Sequence, residues 1–208
     1  MTQGRLITLE GGEGAGKSTA VETIRSWLES RGRRVVVTRE PGGTPAAEKI
    51  RHLLLDPATG ELSPLSELLL MFAARAENLD KVIRPALAAG QDVICDRFTD
   101  ASLAYQGGGR ELGVKPILAL ADIVHPDLQA DLTLLLDVPV AVGMARVHQR
   151  GEDSNRFEQT RADFLERVRQ AYLVQARRLP ERYVIIDAAQ DLTTVHQAIT
   201  EQLQERFG

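Results

Sequence analysis

The residues best equipped for chemistry lie near the start of the chain. Gly11-Gly12-Glu13-Gly14-Ala15-Gly16-Lys17-Ser18 fits the pattern G-x-x-x-x-G-K-[ST], and Thr19 follows it. An apolar run, Leu6-Ile7-Thr8-Leu9, precedes it, and a helical pattern from Ser18 to Ser30 follows, so the motif sits between strand and helix as a P-loop requires. Glycines admit the positive φ values that turn successive backbone N–H groups inward to make a nest for phosphate oxygens. The helix behind adds its positive dipole end. Lys17 can reach the β- and γ-phosphates, and the Ser18 hydroxyl can ligate Mg²⁺. A glycine-rich turn that only packs a helix on a sheet leaves the lysine unexplained. A P-loop calls for a nucleoside triphosphate without separating kinases from switches or motors. The guanine-reading sequence N-K-x-D is absent.

Other polar clusters follow later apolar runs. Asp96-Arg97-Phe98 succeeds Asp92-Val93-Ile94-Cys95. Arg97 is a planar donor suited to a phosphate held before the P-loop, and Asp96 can hold a Mg²⁺-bound water; the plainer reading is a surface ion pair. Arg39-Glu40-Pro41-Gly42-Gly43-Thr44 succeeds a second run, with Thr44 placed to cap a helix that starts at Pro45 and carries Arg51, another candidate anion contact. Phe72 and Arg75 share one helix face, where an aromatic plate and an arginine fork can hold a base, or simply be core and solvent. Ser102 and Tyr105 share another face, Gln106 is adjacent, and Gly107-Gly108-Gly109 reads as a loop that lets backbone approach a ligand. The stretch from Arg146 to Glu158 is polar, with Gly151 inside it. It reads either as a solvated basic loop or as a lid whose Arg150 or Arg156 closes over phosphates.

These residues need a scaffold that brings them to one edge. Five strand-length apolar runs begin at Leu6, Arg34, Asp92, Leu132 and Tyr183, and they alternate with helical patterns. Strands apolar nearly throughout belong to a parallel sheet covered on both faces, which makes the chain a doubly wound α/β fold. Ligands in such sheets bind beyond the carboxyl ends of the strands. Asp137 and Asp187 end the fourth and fifth runs, as helix caps or as acids on the nucleotide side. The length of 208 residues fits one domain, 1–208, with the lid at about 146–158. A net charge of −4 argues against a nucleic-acid polymer as partner. One cysteine, Cys95, excludes an internal disulfide framework, and it reads as a small buried hydrophobe. The four histidines show no metal-ligand spacing. No basic segment followed by an apolar one opens the chain, and no apolar stretch is long enough for a membrane, so a cytoplasmic protein is expected.

GGEGAGKST, TREPGGT, Phe72 with Arg75, DRF at Asp96 to Phe98, and SLAYQGGGR together resemble bacterial thymidylate kinases, in order and spacing from Leu6 to the last helix. The resemblance implies a P-loop kinase with a parallel sheet of strand order 2-3-1-4-5. It implies transfer of phosphate from ATP to dTMP with Mg²⁺, giving dTDP for DNA synthesis, and a homodimer. It implies that Arg97, Arg39 and Arg51 address the dTMP phosphate, and that Glu13 lies near the 3′-hydroxyl and Arg97. Arg75 would bond the thymine edge while Phe72 stacks on its face. Ser102 would read a polar edge of the base, with Gln106 beside it in the dTMP site, and Tyr105 would crowd the sugar 2′ position. Many members place the aromatic four residues before the arginine, where this chain has Met71. Members without a P-loop arginine carry it in the lid, which points to Arg150 or Arg156. The alternatives are a kinase for another deoxynucleotide or nucleoside, and an NTP-hydrolysing switch with no acceptor.

Overall fold

The computed structural model describes residues 4–150 and 162–208. Its strands are β1 (Leu6–Gly11), β2 (Val35–Arg39), β3 (Asp92–Asp96), β4 (Leu132–Asp137) and β5 (Tyr183–Asp187). They form one parallel sheet of order β2-β3-β1-β4-β5. This is the expected order. Every residue of central β1 is buried, as its apolar run requires, while the edge strands β2 and β5 are partly exposed. Register aligns the carboxyl ends: Leu9 and Arg39 both stand opposite Asp96, and Gly11 stands opposite Leu136.

Helices α1 (Lys17–Glu29) and α9 (Leu192–Phe207) cover one face. Ile24, Leu28, Ile199 and Leu203 are fully buried there against Ile7 and Leu134. On the chain between β2 and β3 lie α2 (Pro45–Leu55), α3 (Pro64–Asn78) and α4 (Arg84–Ala88). Thr44 caps α2 by accepting from the Ala47 amide at 3.1 Å, as its sequence position predicts. The helical run expected from Ser66 to Ala89 is not uniform: Leu79–Ile83 is a π-helical turn. Pro85 explains the change, because it has no N–H and its ring crowds the carbonyl four residues back, and a wider turn takes up the offset.

Next come α5 (Thr99–Ser102), a π-helical segment Leu103–Gly109, α6 (Lys115–Val124), α7 (Val140–Arg150) and α8 (Ala162–Arg178). The expected glycine loop at Gly107–Gly109 is corrected here, since these residues are wound into the π-helical segment. A Cβ on Gly108 would meet the Ala171 Cβ at 2.6 Å, and one on Gly109 would meet the Phe164 ring at 2.6 Å. The glycines therefore admit α8, not a ligand. Of the expected lid, residues 146–150 continue α7, and residues 151–158 lie outside the described residues. No helix among the described residues is long and apolar enough to cross a membrane.

Candidate active site

The carboxyl ends of β1 and β3 open onto a cleft of about 340 Å³, lined by the P-loop, by Arg51, Met71 and Arg75, by Asp96 and Arg97, and by Ser102, Tyr105 and Gln106. The P-loop takes its shape from positive φ at Gly14 and Gly16, of 71° and 87°, with Gly16 capping α1. Ala15 is buried under the loop. Lys17 Nζ turns back inside it, donating to the Gly11 and Gly12 carbonyls at 3.4 and 3.3 Å. Burial, then the nearby Arg97 charge, lowers the Lys17 pKa from its ordinary value. Ser18 and Thr19 line the cleft at the start of α1. Glycine also seats the loop on its neighbour. A Cβ on Gly14 would fall 2.1 Å from the Gly143 carbonyl oxygen of α7, and one on Gly143 would fall 2.3 Å from the Glu13 carbonyl oxygen.

Arg97 leaves β3 with a left-handed φ of 69°, which turns its side chain across the cleft floor. Its Nη2 donates to Glu13 Oε1 at 3.0 Å, and its Nη1 donates to the Tyr172 hydroxyl at 3.2 Å. The Tyr105 hydroxyl donates to the same Glu13 oxygen at 2.9 Å, and the Arg97 guanidinium lies 4.7 Å from the Tyr105 ring centre. Behind them the Tyr172 hydroxyl donates to Glu10 Oε2 at 2.7 Å, and the Phe98 amide donates to Glu10 Oε1 at 2.8 Å. Glu10 is fully buried. Burial, reinforced by Asp100, raises its carboxyl to about 8 against the pull of the Tyr172 hydrogen bond. Glu10 and Tyr172 were not among the residues expected from sequence. The signal available was a glutamate inside an otherwise apolar strand.

Arg75 is buried. Its Nε donates to Glu40 Oε2 at 2.6 Å, and its Nη2 donates to the Phe98 carbonyl and Ser102 Oγ at 2.9 and 3.1 Å. Its Nη1 has no partner among the described residues. Phe72 does not line the cleft. Its ring lies 4.4 Å beneath the Arg75 guanidinium and packs with Leu68, Ile117 and Ala121, whereas Met71 lines the cleft. Helix geometry separates the two neighbours, sending Phe72 to the core and Met71 to the opening. Arg51 lines the cleft and donates to the Pro41 carbonyl at 2.9 Å. Arg39 stands at the rim, half exposed, paired with Glu48 at 3.1 Å. Arg150 ends α7, and Arg156 lies outside the described residues.

Asp96 lines the cleft beside Lys17 and Ser18, and its Oδ1 is buried without a partner among the described residues. A carboxylate and a hydroxyl are oxygen donors that suit Mg²⁺, which takes few protein ligands and completes its shell with phosphates and water. Among the described residues no cluster of three His, Cys, Asp or Glu side chains can hold a metal without such help. Asp137 and Asp187 have other duties: Asp137 accepts from Arg169 Nε at 2.7 Å, and Asp187 from the Ala189 amide at 3.0 Å. Burial pushes the Cys95 thiol up, as expected of an inert cysteine. A second cavity of about 460 Å³ lies on the outer side of the P-loop, between Thr19, Arg146 and the start of α9 at Leu192 and Val195. Arg146 is held there by the Ala188 carbonyl at 2.7 Å. This cavity has no signature in the sequence, because it is made by three segments distant along the chain.

A family model described as thymidylate kinase matches residues 9–199. The thymidylate kinase of Chromohalobacter salexigens is 56% identical across 100% of this chain and 99% of its own. That of Pseudomonas putida strain W619 is 58% identical across 93% of each. The crystal structure of thymidylate kinase from Ehrlichia chaffeensis superposes with a TM-score of 0.79 at 34% identity, covering 98% of this chain and 99% of that one. With its P-loop and arginine-lined cleft on a sheet of that order, this chain belongs to the thymidylate kinase family.

Proposed function

We infer that the chain transfers the γ-phosphoryl group of ATP to dTMP, yielding ADP and dTDP, a precursor for DNA synthesis. The observation that carries the acceptor assignment is Arg75. Three of its contacts are fixed by protein, and Nη1 remains as a buried donor on a residue that lines the cleft. A base carbonyl satisfies that donor. Met71 offers an apolar cover for the ring, and Ser102 and Gln106 border the base edge. Tyr105, held by Glu13, leaves little room for a 2′-hydroxyl on the sugar. Arg97 and Arg51, with Arg39 at the rim, supply charge for the acceptor phosphate. The donor nucleotide lies along the P-loop with its base in the second cavity.

An ionised acceptor-phosphate oxygen attacks the γ-phosphorus directly. One P–O bond forms, the β–γ bridging bond breaks, and its electron pair leaves on ADP. No protein nucleophile is needed, so catalysis is positioning plus charge stabilisation. Lys17 follows the γ-phosphoryl group, and a lid arginine, Arg150 or Arg156, provides a second cation. Ser18 and Asp96 would hold Mg²⁺, Asp96 through water, and the ion would shield charge on the donor phosphates.

A homodimer fits the apolar side chains left exposed on two adjacent helices: Leu65 and Leu69 on α3, at 53% and 49%, and Leu118 and Ile123 on α6, at 48% and 77%. Sedimentation analysis tests it. For the reaction, ADP release is followed with ATP, Mg²⁺ and each nucleoside monophosphate in turn. dTMP is expected to give the highest kcat/KM. Equal ADP release without any acceptor would point instead to a hydrolysing switch.

A further inference from the structure

Glu67 is a fully buried carboxylate in the first turn of α3. It accepts from Gln106 Nε2 at 2.9 Å. Arg110 donates to both its oxygens, Nε to Oε1 at 3.3 Å and Nη2 to Oε2 at 3.1 Å. A carboxylate clamped this way is an acceptor at both oxygens, so the Gln106 side chain must face it with the NH₂ group. The amide's other end, Oε1, receives no hydrogen bond from any described residue, and Gln106 lines the cleft.

We propose that Glu67 is a positioning residue that locks the Gln106 amide with Oε1 toward the cleft and thereby makes the base site selective for a ring N–H next to a carbonyl. This rests on reading the cleft as the monophosphate site. Ser102 and Gln106 are four residues apart and share a face of the helical run, so Arg75, bonded to Ser102, stands beside Gln106. Together they present a donor, Arg75 Nη1, and an acceptor, Gln106 Oε1. Thymine and uracil offer the complement, a carbonyl at C4 and a proton on N3. Cytosine offers an amino group and a bare nitrogen, so both contacts would oppose like with like. Buried hydrogen-bonding groups reject a mismatched partner strongly because they are left unpaired. Without the Glu67 clamp the amide is free to rotate about its last torsion and present NH₂ in place of oxygen.

The test compares kcat/KM for dTMP and dCMP, with ATP and Mg²⁺, in wild type, Glu67→Gln, Gln106→Leu and the double variant, with thermal unfolding as a check on folding. In Glu67→Gln the dTMP:dCMP ratio is expected to fall by about tenfold or more. KM for dTMP should carry the loss on the dTMP side, while kcat at saturation and KM for ATP hold. On the Gln106→Leu background Glu67→Gln should add nothing. An unchanged ratio in folded Glu67→Gln, or full additivity in the double variant, overturns the proposal. If Glu67→Gln does not fold, Arg110→Gln, which loosens the clamp from its partly exposed side, must lower the same ratio, and an unchanged ratio there is equally fatal. Wild type that accepts dCMP as well as dTMP would instead bring down the reading of the cleft itself.

Discussion

Arg75 and Glu40 form an ion pair, 2.6 Å from Nε to Oε2, with both side chains almost wholly withdrawn from solvent. It joins α3 to the segment after β2. The other Glu40 oxygen accepts from Asn78 at 3.3 Å, and Asn78 in turn accepts from Thr38 at 2.8 Å. Burial pushes the Glu40 carboxyl up while Arg75 draws it down. A guanidinium this deep is fixed in rotation, which is why its free Nη1 amino group can act as a reader.

Glu40→Gln keeps the shape but leaves the Arg75 charge without its counterion. Removing one partner of a buried pair costs about 3–5 kcal/mol. Urea denaturation of the variant should show a loss of that order, and KM for dTMP should rise because the guanidinium is no longer fixed. A loss below about 1 kcal/mol would mean that the pair behaves like an exposed one.

Glu10 predicts a pH dependence of stability. Its carboxyl holds a proton in the folded chain up to about 8, whereas its ordinary value is 4.5. Between these values the folded state binds more protons than the unfolded one, so stability falls as pH rises. The contribution is intact below 4.5 and fully lost above about 8. Glu10→Gln, neutral at every pH, should flatten this slope and gain on wild type as pH rises. Denaturation midpoints across the window decide it, and parallel curves for the two proteins would contradict the assignment.

Gly143→Ala tests the seat of the P-loop on α7. The added methyl would stand 2.3 Å from the Glu13 carbonyl oxygen, a backbone atom that no side-chain rotation can move aside. The loop or the helix must shift. A displacement of phosphate-binding groups by an ångström costs about 10²-fold in rate. The expected result is a folded protein with kcat reduced on that scale. Undiminished kcat would show that α7 yields and the loop does not.

Single alanine variants at Arg150 and Arg156 identify the second cation. The P-loop brings one lysine, yet charge in the transition state spreads over three oxygens. Loss of the responsible arginine should lower kcat by about 10³-fold, with KM for dTMP little changed. If both variants keep near-normal kcat, the second cation is Arg97 or another residue of the acceptor side.

The strands were legible because each is apolar nearly throughout, and their ends differ from expectation by one or two residues. Helix α2 begins where Thr44 and Pro45 predict. The phosphate side was equally open to reading, since Gly11 to Thr19 are contiguous and their chemistry is local. Phe72 and the glycines from Gly107 to Gly109 show the limit. One position decides whether a side chain on α3 faces core or cleft, and periodicity alone does not fix that phase. Whether a glycine admits a ligand or a helix depends on α8, whose contacting residues begin at Phe164. Glu10, Glu67 and Tyr172 were missed for the same reason: each acts through a partner far along the chain.

The hydrogen bond from Tyr172 to Glu10 spans 162 positions. A ribosome adds about 5–20 residues per second, so Glu10 emerges roughly 10–30 s before the hydroxyl that completes its surroundings. During that interval β1 and the P-loop exist without the hydroxyl that joins Arg97 to Glu10. Shortened products of interrupted synthesis that end before Tyr172 lack α8 and are therefore expected to turn over nucleotide far more slowly than the whole chain.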